Sequence, residues 1–251
     1  MGIDSFSKIY YERPNVVQEI FHNHHWIWPE EEMIFKRYET HICGKRVLDI
    51  GCGGGRIIPA LKALTQDYTG IDYSEGMIKA CKEKFESLKF IHCDASDMTI
   101  FNDQSFDFVL FTFNGIDCMS HEKRIKTLKE INKILKDDGI FVFSSHNLDD
   151  KRHVTAYNIF DINVFNNIRN ILSYLKVRKH QIRTETYAIL SDPLAGYGHL
   201  TYFIRKPDQV IQLKQSGFSD VEILNCKCRF TEIASLERDS KWFWYICKKQ
   251  K

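Results

Sequence analysis

With 251 residues, 43% of them hydrophobic and 13% aromatic, the chain can bury one large core, alone or with an insertion. A formal charge of +2 supplies no global field committing it to nucleic acid. No run of 18 apolar residues occurs, so no transmembrane segment is expected. Met1-Gly2-Ile3-Asp4 lacks the basic start and apolar run of a secretory leader, and Phe6 stands where a myristoylation motif wants a hydroxyl residue. Eight cysteines (43, 52, 81, 93, 118, 226, 228 and 247) are scattered, several in apolar runs, which points to reduced thiols in a cytoplasmic protein. Cys226-Lys227-Cys228 is a close pair with nothing to complete a zinc set, so no metal is expected.

Residues 1–43 precede the first core strand. Val16 to Phe21 reads as a helix, and Pro29 opens a second one in the first turn, where proline is tolerated. Between them, His22-Asn23-His24-His25-Trp26-Ile27-Trp28 reads as a joint packed by indole rings, or as a metal or aromatic cage.

Residues 44–148 alternate strand and helix. Strands are expected at 46–50, 67–72, 89–93, 106–111 and 139–145, with helices at 55–65, 74–87 and 121–135. Short, nearly all-apolar strands joined by helices predict a parallel sheet covered on both faces. Ligands in such sheets bind beyond the carboxyl ends of the strands. Val47-Leu48-Asp49-Ile50 runs straight into Gly51-Cys52-Gly53-Gly54-Gly55. Glycines there let the backbone turn sharply and let a ligand approach main-chain N–H groups near a helix start. The second strand ends on Asp72, 21 residues after Gly51, where a carboxylate can accept both hydroxyls of a ribose. The third run ends on Asp94, beside Ala95, where an acceptor and a backbone N–H can read the amino edge of an adenine. Either acid can equally cap the helix that follows.

Residues 149–206 read as an insertion that covers the cleft. Val164, Phe165, Ile168, Ile171, Leu172 and Leu175 form a helical stripe, Val177 to Leu190 alternates like a strand, and 198–204 resembles its partner. Seven Lys/Arg (151, 152, 169, 176, 178, 179, 183) against Asp161 alone make this part basic, a solvated face or an attraction for an anionic partner. Residues 207–251 return to sheet and helix: a proline-started helix ended by Gly217, a strand from Phe218 to Leu224 and a last strand from Trp242 to Cys247.

Asp-Ile-Gly-Cys-Gly-Gly-Gly (49–55), Gly-Ile-Asp-Tyr-Ser-Glu-Gly-Met-Ile (70–78), Cys-Asp-Ala (93–95) and Phe-Asp-Phe-Val-Leu (106–110) resemble the ordered motifs of class I S-adenosylmethionine-dependent methyltransferases, of the small-molecule type. A nicotinamide-dependent dehydrogenase would need glycine where Arg56 stands and gives Asp94 no role. The resemblance implies a Rossmann-like, seven-stranded, mostly parallel sheet with helices on both faces, an antiparallel last strand and a cap insertion before the sixth strand. The expected parts are a helical cover over 1–43, a cofactor-binding core over 44–148, the cap over 149–206 and the rest of the sheet over 207–251.

It also implies where S-adenosylmethionine binds: Asp49, Gly51, Cys52 and Gly53 on the first loop, Asp72, Tyr73 and Met77 on the second, and Asp94 and Ala95 on the third. Phe111, Thr112 and Asn114 follow the fourth strand beside the methionine part, and Tyr11 and Arg13 belong to an N-terminal segment that folds over the cofactor. A sulfonium methyl is already electrophilic, so in-line positioning, contributing ~7–11 kcal/mol, needs no nucleophilic triad. Where a proton must leave an O or N acceptor, His146, His199 and Tyr202 are the candidates, with Tyr197 beside them. The expected partner is a small-molecule acceptor. An RNA or protein acceptor drawn by the basic insertion, or a cofactor-binding regulator without turnover, are the alternatives.

Overall fold

The computed structural model describes residues 2–23, 26–150, 164–192 and 197–250. Strands β1 (Val47–Ile50), β2 (Tyr68–Asp72), β3 (Lys89–His92), β4 (Phe106–Phe111) and β5 (Leu135–Asn147) pair in parallel in the order β3-β2-β1-β4-β5. Beyond β5, β10 (Trp242–Lys249) lies antiparallel to it, from Trp242↔His146 to Lys248↔Ile140, and β9 (Phe218–Asn225) pairs antiparallel with β10. These seven strands reproduce the expected sheet, with its inserted antiparallel last strand.

Side chains alternate between two cores, as the pleat requires. Phe106, Val109, Phe141, Phe143, Phe243 and Tyr245 face helices α7 (His121–Ile134) and α9 (Lys206–Gln215). Phe108, Leu110, Ile140, Val142, Trp244 and Ile246 face α3 (Pro29–Arg37), α4 (Glu39–Ile42), α5 (Ile58–Lys62) and α6 (Glu75–Lys84). Helix entry follows from local chemistry. Ser74 and Ser120 accept the backbone N–H of Met77 and Lys123, which caps α6 and α7.

Three elements depart from expectation. Residues Ile3–Tyr11 form a helix, α1, ahead of α2 (Pro14–Asn23). Strand β5 begins at Leu135 rather than near 139, because Leu135 pairs with Phe106 across a register shift in β4. The alternating stretch 177–190 is no single strand: Val177 closes helix α8 (Val164–Val177), residues 178–180 make a 3-10 turn, and only β6 (Ile182–Arg183) and β7 (Tyr187–Ser191) are extended. With β8 (Leu200–Ile204) they bring the sheet to ten strands among the described residues. Lys151, Arg152, Asp161, His24 and His25, and the side chains of His22, Val164 and Phe165, lie outside the described residues.

The place where β8 joins positions the site. It pairs in parallel with β5 only at His146↔Phe203 and Asn147↔Ile204. One edge of His146 already faces Trp242, so β8 occupies the other edge, the one β4 shares as far as Phe143. The hairpin therefore sits just past the carboxyl end of β4, over the ligand edge of the sheet.

Candidate active site

A cavity of about 800 Å³ opens beyond the carboxyl ends of β1, β2, β3 and β4 and is roofed by α1 and α2. Its floor is the glycine loop. Gly51 and Gly53 both have left-handed backbone (φ +64° and +52°), which a branched residue adopts only with strain. A Cβ on Gly51 would stand 2.9 Å from the Phe111 ring, so the loop and the end of β4 touch without room for a side chain.

Three carboxylates mark the strand tips. Asp72 accepts the backbone N–H of Gly53 at 3.0 Å and of Ser74 at 2.8 Å, tying the glycine loop to the tip of β2. Burial pushes its carboxyl above the usual range, against the pull of those two N–H groups. Asp49 at the end of β1 accepts the Tyr68 hydroxyl at 2.7 Å. Burial outweighs that bond and raises its pKa to about 7. Asp94 is half-exposed, bonded to Ser96 and paired with Lys123 at 2.6 Å. Desolvation pushes its pKa up, but Lys123 and Ser96 more than offset this and the net shift is downward.

Of the residues named from sequence, Tyr11, Asp49, Gly51, Cys52, Gly53 and Asp72 line this cavity together. So do Tyr73, Met77, Asp94, Ala95, Phe111 and Thr112. Arg13 lies outside the wall, its guanidinium over the Tyr10 ring. Asn114 lies just behind the wall, in a left-handed conformation it shares with Phe113 (φ +56° and +54°). Two consecutive strained residues turn the chain at the end of β4.

Sequence reading gave Arg56 only an exclusionary role. The structure buries it in the cavity wall, where it forks onto both carboxylate oxygens of Glu31 (2.7 and 2.5 Å) and reaches the Trp26 carbonyl at 2.9 Å. The first turn of α3 is thereby pinned to the glycine loop. Helix α1 is held from below: Tyr73 donates to the Ser7 carbonyl at 3.2 Å and Ser74 to the Tyr11 carbonyl at 3.3 Å.

The three candidate bases lie on the cap side, off the cavity wall. Tyr202 is fully buried, stacked on Tyr187, with its hydroxyl 2.8 Å from His121 Nδ1, which is a packing role. His199 is 3% exposed, against the rings of Tyr10 and Tyr11. Neither of its ring nitrogens has a hydrogen-bond partner among the described residues, and burial lowers its pKa to about 4. His146 is different. Its Nδ1 lies 2.8 Å from Asp117 Oδ2 and its Nε2 lies 3.3 Å from Asn114 Nδ2. Asp117 is fully buried and also accepts the His146 backbone N–H, the Ser145 hydroxyl and Arg124 Nη1, each at 2.7 Å. Arg124, fully buried too, spends its remaining donors on Gln209, Gln212, Ser145 and the Ile116 carbonyl. A carboxylate so fixed orients the imidazole through Nδ1, while the Asn114 amide stands at Nε2, so an acceptor reaching that nitrogen would displace the amide. Asp117 went unread in the sequence because no local motif marks it. β5 and α7 converge on it only in the fold.

Comparison with known proteins agrees with this geometry. A family model described as "Methyltransferase domain" matches residues 47–139. Those residues are thus similar to a methyltransferase domain, and the sheet around them has the Rossmann-like methyltransferase fold. Demethylmenaquinone methyltransferase from Staphylococcus aureus (strain JH9) is 39% identical over 105 residues, spanning 39% of this chain and 42% of that protein. Among solved structures, the CcbJ methyltransferase from Streptomyces caelestis superposes with a TM-score of 0.64 at 15% identity, covering 98% of this chain and 99% of that one. The 1,6-didemethyltoxoflavin-N1-methyltransferase from Burkholderia thailandensis, solved with its acceptor and S-adenosylhomocysteine, gives 0.59 at 13% identity, covering 99% and 87%.

Proposed function

We propose that the protein transfers the methyl group of S-adenosylmethionine to an O or N atom of a small molecule. The observation that carries this is the cavity itself: a glycine-rich loop, two buried carboxylates and a third at successive strand tips, enclosed under α1 and α2. The residues fit the cofactor chemically. Asp72 has acceptor capacity left for a ribose diol, Asp94 and Ala95 stand where an adenine edge would lie, and Gly51 admits the chain that joins them. Met77 and Tyr73 flank the nucleoside position. Asp49, Tyr11, Phe111 and Thr112 surround the place of the amino acid and sulfonium, with Asn114 behind them. When bound, the cofactor supplies a methyl on a positively charged sulfur, open to in-line attack. This chain's part is to align the acceptor and exclude water.

The lining favours a small acceptor over a nucleic acid. Five carboxylates (Asp4, Glu19, Asp49, Asp72, Asp94) face three cations, Lys8, Arg56 and Lys123. Arg56 and Lys123 are both ion-paired, which leaves little to hold a phosphate backbone. The curated relative matches over 105 residues only, so it supports the cofactor half and leaves the acceptor to be found.

Proton removal from the acceptor belongs to His146, with Asp117 orienting it. His199, held neutral and weakly basic by burial, instead packs the aromatic wall beside the acceptor.

Calorimetry with S-adenosylmethionine and S-adenosylhomocysteine, followed by incubation of labelled cofactor with fractionated cell extract, tests the proposal. Micromolar binding and label in a small-molecule fraction are the expected results. Absence of binding would end the assignment, whereas label in RNA or protein would redirect the acceptor alone.

A further inference from the structure

Helix α8 carries an apolar stripe that faces away from the core. Ile168, Ile171, Leu172 and Leu175 are 52%, 40%, 55% and 45% exposed, and their spacing of i, i+3, i+4 and i+7 places them on one face. The opposite side does the docking. Val177 is fully buried with Ile3, Leu200 and Tyr202, and Ser173 lies against Gly198, so that an added Cβ there would meet it at 3.6 Å. Other large exposed apolar residues are spread through several surface loops and helices; here four fall within eight positions. A contiguous patch of that kind marks an interaction surface.

Cations surround the stripe. Arg169 and Lys176 on α8, Arg178 and Lys179 on the 3-10 turn, and Arg183 on β6 are all exposed, and none has an ion-pair partner among the described residues. Between 164 and 186 the sole acid is Glu185. Aliphatic side chains flanked by Lys and Arg on a short helix match the chemistry of a helix lying in the plane of a membrane surface. Two features favour a lipid plane over a protein groove or RNA. The cations come from three successive elements and spread wider than a single helix-binding cleft. The exposed side chains described on the stripe are all aliphatic, whereas base stacking calls for rings.

We propose that α8 and the turn after it seat the protein on an anionic lipid surface, with the four aliphatic side chains at the acyl boundary and the cations on lipid phosphates. This inference stands independently of the methyl-transfer reading. The inner side of α8 packs on α1 and β8, so docking would bring the roof of the cavity close to the lipid.

Co-sedimentation of the full chain with vesicles tests it, using phosphatidylcholine alone and phosphatidylcholine with a third phosphatidylglycerol. Partitioning is expected to be about tenfold or more stronger on the anionic vesicles and to weaken steeply from 0.1 to 0.5 M salt. The double variant Ile168→Ser, Leu172→Ser should lose about tenfold or more. Arg178→Glu with Lys179→Glu should lose about fivefold per residue. All four positions are exposed, so thermal melting and cofactor calorimetry should match wild type and show that the fold is intact. Equal partitioning on neutral and anionic vesicles would overturn the proposal. So would sedimentation showing that the chain self-associates through the stripe and that the serine variant is monomeric, because the stripe would then serve a second copy of the chain.

Discussion

The floor and the roof of the cavity are built by different means. The floor is made of backbone and of carboxylates fixed by backbone: left-handed glycines at 51 and 53, and Asp72 held by the N–H groups of Gly53 and Ser74. The roof is made of side chains from α1 and α2, Tyr10, Tyr11, Val16 and Glu19 among them, with Asn114, His146 and His199 behind it from distant parts of the chain. A floor of this kind holds any ligand with the same nucleoside end. A roof of this kind is specific to one acceptor and can change without disturbing what lies beneath. On this view, floor substitutions should act on cofactor affinity and roof substitutions on turnover.

The largest effect is expected from Gly51→Val. Its Cβ would collide with Phe111 and its backbone would be strained, so cofactor affinity measured by calorimetry should fall by more than about 100-fold. Retained affinity would show that the loop is not the floor. His146→Ala is the reciprocal probe. We expect kcat to fall about 100-fold or more with cofactor Kd unchanged. Asp117→Asn should do much the same and distort the pH profile of kcat, which a merely structural role would not do. If kcat survives in both, the acceptor ionises without help from the protein, and the floor is unaffected by that outcome.

Asp72→Ala comes next. Loss of a charged acceptor should weaken binding by about tenfold or more, and freeing the N–H of Gly53 should loosen the loop as well. The smallest effect is a pH dependence. Burial keeps the proton on Asp49 up to about pH 7, so below that pH a cationic ligand must displace it and binds more weakly. S-adenosylmethionine should bind up to about tenfold less tightly at pH 6 than at pH 8, with proton release seen by calorimetry in buffers of different ionisation enthalpy. Its neutral-sulfur product should show less. An equal pH response for both ligands would place the sulfonium away from Asp49.

The same division explains what the sequence revealed. That Gly51, Asp72 and Asp94 line one cavity was legible because their positions attach to strand ends and sharp turns, features written in local periodicity. The individual strands followed from apolar runs for the same reason, and the resemblance implied the seven-stranded frame. Helix α1 was missed because two serines and an aspartate in its first turns dilute its apolar spacing, and it is held by Tyr73 and Ser74 from another part of the chain. Residues 177–190 alternate as a strand does, yet Arg178-Lys179-His180 turns the chain and only two residues pair before β7. Arg56 was read for what it excluded, since its partner Glu31 lies 25 residues away. Asp117 acquires meaning only once Arg124, Ser145 and His146 converge on it.

The seam between β5 and β8 has a consequence for how such a protein diversifies. The hairpin is stitched to the sheet by two rungs, His146↔Phe203 and Asn147↔Ile204. A graft replacing the intervening chain has that short register to preserve, together with the packing of Ile3, Tyr10 and His121 against the hairpin. New acceptor preferences are thus accessible by exchanging one cassette, while the machinery that grips the methyl donor is inherited whole.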